Sequence, residues 1–450
     1  MTSSPTAAIA DFATRPRSGA EVARHADAVA AALLDTVGVA IAGHQTETAR
    51  ILTEWVLETP TTGDVQVWGD GRRLTALDAA LVNGTAAHAL DWDDASPSMP
   101  MHPSAVLIPV LLAQAGTTDV SGQALVEAYV VGAAVFRAAS EALPVNTSVD
   151  RGWHNTATSG RVAAVAALAN LTRSSSDVTA QALGMVASMS SGSISNFGTM
   201  TKPLHAGLAA RDALMAMSLA VRGFTANAAQ LEHAHGFFAM HGDAQPERLA
   251  LIEPRLEHWA EHWASDWSIK RYPCCYGTHH AADAALDVRD KVDLDEIARV
   301  DVSIYAPDMT ILTKGRPTTG LAAKFSVEHV VAVALARGAV TLDDFEQPTV
   351  LDPVIDELRE KVHCVGDPQA ATRFADLRIT LTHGDVVTHR VDITRGDARN
   401  PMTLDELRAK FVGACASAGW SPSRAGRVAD LLLATPASPS VARVASELER

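Results

Sequence analysis

Aromatic side chains are scarce in this 450-residue chain, making up 5% of it, although 47% of its residues are hydrophobic. With alanine abundant, that balance argues against a β-sandwich and for closely packed helices. Cysteine is also rare. Cys274 and Cys275 are adjacent, Cys364 and Cys415 are scattered, and no disulfide framework can be drawn from them, so a reducing compartment fits. Basic residues are outnumbered: 37 Lys and Arg face 52 Asp and Glu, for a net charge of −15. Such a surface repels nucleic acid and anionic membranes and excludes both as main partners. No apolar run reads as long enough to cross a bilayer, and residues 1–16 lack the charged and apolar regions of a signal peptide. The expected location is cytoplasmic. No Walker loop, G-x-G-x-x-G fingerprint or G-x-S-x-G elbow occurs, so nothing supports a nucleotide cofactor.

A chain of this length favours two domains. Helical spacing of apolar residues predicts helices over 20–41, 76–90, 104–115, 122–143, 156–171, 176–190, 205–222 and 227–233. Nothing before about residue 265 alternates as a strand should, so the first part reads as all-helical. The pattern changes after Pro273. Val300, Val302 and Ile304 alternate with polar residues, as do Leu377, Ile379 and Leu381. Val387, Val391 and Ile393 follow the turn signal His383-Gly384-Asp385, which predicts a hairpin. Helices are expected over 321–337 and 353–362 between these strands, and over 404–417 and 422–433 at the end. The predicted fold class is mainly α: a large helical domain over 1–265, a smaller inserted α+β domain over 266–399, and C-terminal helices over 400–450 that return to the first.

Four polar clusters stand out. His88, Asp91, Asp93 and Asp94 precede His102-Pro103-Ser104, between two apolar helices. Acidic clusters at helix ends can bind a divalent ion, but no second ligand cluster of suitable spacing follows, and a solvated helix end carries the same residues. His154 stands just before a helix, where neutral imidazole and bound anions are both favoured. Lys202-Pro203 leads into another helix. A lysine there opposes the helix dipole and makes sense if an anion must bind, while a solvated lysine is the plain alternative. Lys270 and Arg271 precede Cys274-Cys275 and then His279-His280 at the domain junction, where ligand clefts form. Adjacent cysteines lack the usual zinc spacing, so no metal is assigned.

In their order these clusters resemble the MmgE/PrpD family. The resemblance begins at Leu34–Gly43 and runs through Asn83-Gly84, His88, Asp91–Asp94, His102–Ser104 and Gly152–His154. It continues through Thr201–Gly207, Lys270–Cys275 and Gly320–Ser326. It implies a helical domain with an inserted α+β lid, a homodimer, and a site between the domains that needs no metal or organic cofactor. It also implies a small polycarboxylate as the partner. Catalytic roles would fall on Asp91, His102, His154 and Lys202, and substrate binding on Lys270, Arg271, Cys275, His279 and His329. There are departures. Decarboxylase-type members carry histidine at Cys275 and tyrosine at His329. The step from Asp94 to His102 is one residue longer here, and Ala95 replaces a threonine.

The implied chemistry is proton transfer beside a carboxylate, which builds negative charge that the site must stabilise. Lys202, Lys270 and Arg271 would hold carboxylates, His102 and His154 would exchange protons, and Asp91 would orient a histidine or act as base. One machinery then serves a dehydratase, a decarboxylase or an epimerase, with dehydration of a 2-methylcitrate-like acid placed first. A non-catalytic dicarboxylate binder and a metal-dependent helical lyase are the readings from other classes.

Overall fold

The computed structural model describes residues 4–59, 62–313 and 315–448. The chain is mostly helical and forms two compact units. The first comprises Met1–Ser195, Thr201–Trp267 and Thr403–Arg450; the second comprises Asn196–Met200 and Ser268–Met402.

The first unit is a stack of helices whose ends are set by capping residues. Thr75 accepts a hydrogen bond from Asp78 N and starts the helix Ala76–Ala89, and Ser121 does the same for Gly122–Ala142. The helices Ser104–Ala115 and Asn155–Leu171 are buried nearly all round, which small side chains permit. Helix Thr201–Val221 packs most extensively on Ala76–Ala89. The contact depends on glycine: a Cβ on Gly207 would lie 2.2 Å from Leu81 O and 2.3 Å from Thr85 Oγ1. Gly207→Ala is therefore expected to force the pair apart and cost about 1–3 kcal/mol. The readout is the thermal midpoint, and an unchanged midpoint would contradict this packing account.

The helices predicted from residue 76 to residue 222 are present within a few residues of their expected ends. Residues 227–233 are not a helix but a series of turns in which only Leu231 is fully buried. The first unit is also not purely helical, because Val65–Gln66 and Arg73–Leu74 pair as a short antiparallel ribbon. Helices Ala26–Gly43 and Thr201–Val221 are long and apolar enough, by length and composition, to cross a membrane. That corrects the reading that no run reaches such a length; in both, the larger part is buried inside the unit.

In the second unit a four-stranded sheet has the order Val362–Asp367, Ile297–Tyr305, Ala375–Leu381, Val386–Val391. The first pair is parallel, with Val300 opposite Val362, and the rest antiparallel, with Val302 opposite Leu377 and Leu377 opposite His389. Val300, Val302, Ile304, Leu377 and Ile379 point into one core with the helices His279–Val288 and Val327–Arg337. The predicted hairpin is present. The helix expected over 353–362 ends at Glu360, and the strand Val362–Asp367 that follows went unpredicted.

Candidate active site

Helix Ala76–Ala89 ends at Leu90, and the next residue, Asp91, takes a left-handed conformation with φ 52°. That position past a helix end usually holds glycine, and a side chain there is strained. The turn sends Asp91 back toward the start of the antiparallel helix Thr201–Val221. Lys202 lies in the first turn of that helix, and its Nζ donates to Asp91 Oδ1 at 2.7 Å. Lys202 and Asp91 are each 4% exposed, so this is a buried ion pair and not a solvated lysine.

The acidic run beyond Asp91 is likewise buried and not a solvated helix end. Asp93 Oδ2 faces two imidazoles, His88 Nδ1 at 2.8 Å and His102 Nδ1 at 3.3 Å. Burial would raise the Asp93 carboxyl, but His88 and His102 hold it well below the usual carboxylate range. Burial pushes His88 down to about 3, outweighing the attraction of Asp93. Asp94 is anchored by Ser104 N at 3.1 Å, by the Ser104 hydroxyl and by Trp267 Nε1 at 2.7 Å. Burial raises its carboxyl to about 7 against the hydrogen bonds from Ser104, with Asp93 and Asp35 adding to the rise. From the C-terminal helix Leu404–Ser417, Lys410 Nζ donates to Trp92 O at 2.9 Å and pairs with Asp35 at 2.5 Å, fixing the same turn.

His102 is the least buried of these histidines, with a side chain 13% exposed. Its backbone N–H donates to Thr156 Oγ1 at 3.0 Å. Its Nδ1 lies 2.9 Å from Asp94 O, a carbonyl that can only accept, so Nδ1 carries the proton. In the neutral ring Nε2 is then a lone pair, 3.9 Å from Asp91 Oδ1. His154, at the N-terminus of the helix Asn155–Leu171, stacks on His88 with centroids 5.8 Å apart. Its Nδ1 meets His205 Nδ1 at 3.1 Å, so one ring donates and the other accepts. Burial keeps both neutral, His154 well below its ordinary value and His205 near 4.

His88, Asp91, Asp93 and His102 place ligand atoms within 4.8 Å of one another. Within this set the Nδ1 atoms of His88 and His102 both face Asp93, and the Lys202 ammonium pairs with Asp91 Oδ1.

In the second unit Lys270, Cys275 and His279 are buried on one stretch of chain. The carbonyl of Lys324 accepts from Cys275 N at 2.9 Å, and Lys324 Nζ donates to Pro273 O at 2.7 Å. His279 Nε2 lies 3.3 Å from Cys274 O, and Arg271 is half-buried with its guanidinium over Tyr272. His329 is different. Its Nε2 meets Asp344 O at 2.8 Å and its Nδ1 meets Arg359 Nη1 at 3.3 Å. Both ring nitrogens are engaged inside the unit.

The structure thus gathers Asp91, His102, His154 and Lys202 in the first unit. It adds groups that sequence reasoning did not select: Asp93, His88, His205, Thr156 and Lys410. Asp93, His88 and His205 stand within the motifs that carried the family resemblance. Nothing local marks Lys410.

A buried set of histidines, a carboxylate pair and an ammonium, built on stacked helices, brings together the groups that acid–base chemistry uses. The MmgE/PrpD N-terminal domain model matches residues 7–249 and the MmgE/PrpD C-terminal domain model matches residues 272–433. The chain belongs to the MmgE/PrpD family and is a lyase of that type. It is similar to the cis-aconitate decarboxylase of Mus musculus, with 30% identity over 397 residues covering 84% of this chain and 80% of that protein. The cis-aconitate decarboxylase of Aspergillus terreus is 25% identical over 434 residues, covering 89% and 87%. The 2-methylcitrate dehydratase of Cupriavidus necator is 26% identical over 161 residues, covering 31% and 33%.

Proposed function

We propose that this chain acts on a small di- or tricarboxylate without metal or organic cofactor, moving a proton at a carbon beside a carboxylate. The observation that carries this reading is the His102 ring. Its Nδ1–H is committed to Asp94 O, which leaves Nε2 as a base next to the Asp91–Lys202 pair. Lys202 stabilises the charge that develops on the substrate, because a buried ammonium is worth far more there than in water. His154 is the second proton carrier. Lys270 and Arg271 bind carboxylates, with Cys275 and His279 beside them.

Of the reactions this machinery serves, decarboxylation is placed first, ahead of the dehydration favoured by sequence alone. The similarity to cis-aconitate decarboxylases runs through more than four-fifths of the chain, whereas that to the dehydratase of Cupriavidus necator covers less than a third. In decarboxylation the bond to one carboxylate breaks, CO2 leaves, and the electron pair it leaves behind takes a proton at carbon. In dehydration a base removes the α-proton and the β-hydroxyl leaves as water. Cys275, in place of the histidine implied for decarboxylase-type members, puts the difference in how the substrate is held.

The test is incubation with cis-aconitate, 2-methylcitrate and iminodisuccinate, followed by NMR, with and without excess chelator. The expected result is turnover of one acid at a rate that the chelator leaves unchanged. Loss of CO2 identifies a decarboxylase and loss of water a dehydratase. Deuterium exchange from D2O without net conversion identifies an epimerase. Binding of these acids with no turnover, or activity lost to chelator, would overturn the reading.

A further inference from the structure

We propose that Asp93 is the positioning residue of this acid–base site: one buried carboxylate that fixes the Nδ1–H tautomer of His88, shares the Nδ1–H of His102 with Asp94 O, and stabilises His102 when it takes up a proton. The inference rests on the function proposed above and assigns a role to a residue that does not itself touch substrate.

The contrast with its neighbour carries the argument. Asp93 and Asp94 are both fully buried. Asp94 is satisfied as a structural carboxylate should be, by a backbone N–H, a hydroxyl and an indole N–H. Asp93 has none of these. Its Oδ2 faces only the Nδ1 atoms of His88 and His102, and its Oδ1 has no hydrogen-bond partner among the described residues. No lysine or arginine pairs with it among the described residues. A buried carboxylate supported only by two imidazoles is costly unless those rings carry its compensating charge. A carboxylate accepts and does not donate, so both Nδ1 atoms bear hydrogen and both Nε2 atoms are lone pairs.

The other charged and titratable groups around His102 fit this division of labour. Lys202, from the helix Thr201–Val221, is paired with Asp91. His88 lies 4.6 Å away between centroids, on the helix Ala76–Ala89. His154 and His205, which stand at the starts of their helices, are held neutral by burial. Asp94 contributes its backbone carbonyl to His102 Nδ1. In decarboxylation the C–C bond to the departing CO2 breaks, and His102, protonated at Nε2, gives that proton to the electron pair left on carbon. In dehydration the α-C–H bond breaks, its electron pair forms the double bond as the β-hydroxyl leaves as water, and the α-proton goes to His102 Nε2. The imidazolium is stabilised by Asp93, while His88 stays neutral and donates to the same oxygen, Oδ2.

The experiment is Asp93→Asn, which keeps size and removes charge. Replacing the aspartate that orients a catalytic histidine by asparagine typically lowers kcat about 10⁴-fold through the wrong tautomer; here Asp94 O still holds the His102 Nδ1–H, the loss is of charge stabilisation, and a fall of about 10²–10³-fold is expected. KM should change little. The limb of the kcat/KM profile that His102 sets should move to lower pH, because the imidazolium loses its neighbouring anion. A purely structural role would lower the thermal midpoint without moving that limb. An unmoved limb with kcat near wild type would overturn the proposal. A second measurement stands apart from both variant folding and the choice of substrate: nitrogen NMR of the wild-type protein with 15N-labelled histidine, the His102 signal assigned through His102→Gln. The expected result is a protonated Nδ1 and a bare Nε2 in neutral His102. A proton on Nε2 would overturn the positioning claim even if the proposed reaction held. If no polyacid is turned over, the proposed function fails, and comparing the His102 nitrogen titration in wild type and Asp93→Asn still decides the role of Asp93: a titration that does not move to lower pH in the variant would overturn it.

Discussion

Lys202→Met is expected to abolish useful turnover, lowering kcat by about 10²–10³-fold or more, as when a preorganised charge-stabilising donor is removed from a buried site. It should also cost stability. Asp91 would be left 4% exposed with its ammonium gone, and breaking one side of a buried pair typically costs about 3–5 kcal/mol. The two effects separate in the double variant Lys202→Met/Asp91→Asn. Removing both charges relieves the orphaned carboxylate, and asparagine tolerates the left-handed backbone that Asp91 adopts. The double variant should regain most of the thermal midpoint but none of the activity. Wild-type activity in Lys202→Met would sink the assignment. Activity regained together with stability would make the pair structural only.

His102→Gln is the second large effect. It is expected to lower kcat/KM about 10²–10⁴-fold, the usual contribution of a positioned general base. The fold should survive, because the ring is the most exposed of the cluster. The measurement is kcat/KM beside the thermal midpoint. A variant that keeps its activity would move the base elsewhere, with His154 the next to test.

Much of this site was legible because its residues fall in short motifs of fixed order, and those motifs carried Asp91, His102, His154 and Lys202. Their environment was not legible. A run of three aspartates in a chain of net charge −15 reads as a solvated helix end, and what buries it lies far away in sequence. Lys410 reaches Trp92 across 318 residues, and Trp267 reaches Asp94 across 173. Spacing along the chain carries no trace of such contacts. The surroundings of His329 were equally hidden. Its place in an apolar helical run looks the same whether the ring faces a ligand or, as here, Arg359 and Asp344. In the fold, the strongly periodic helices and the hairpin were read correctly. The strand Val362–Asp367 was missed because it lies at the sheet edge, where burial alternates but the apolar residues do not follow it: Val365 faces solvent, and Gly366 and Asp367 end the run. Residues 227–233 had helical spacing but no buried face to hold it, and they form turns.

The most direct test of the central claim, a proton moved at carbon beside a carboxylate, uses an unsaturated acid in D2O. Incubated with cis-aconitate, the wild-type enzyme is expected to give a product with one solvent deuterium on the reacting carbon, by either decarboxylation or hydration, while Lys202→Met gives none. Product formed without solvent deuterium, or deuterium incorporated equally by Lys202→Met, would contradict the account.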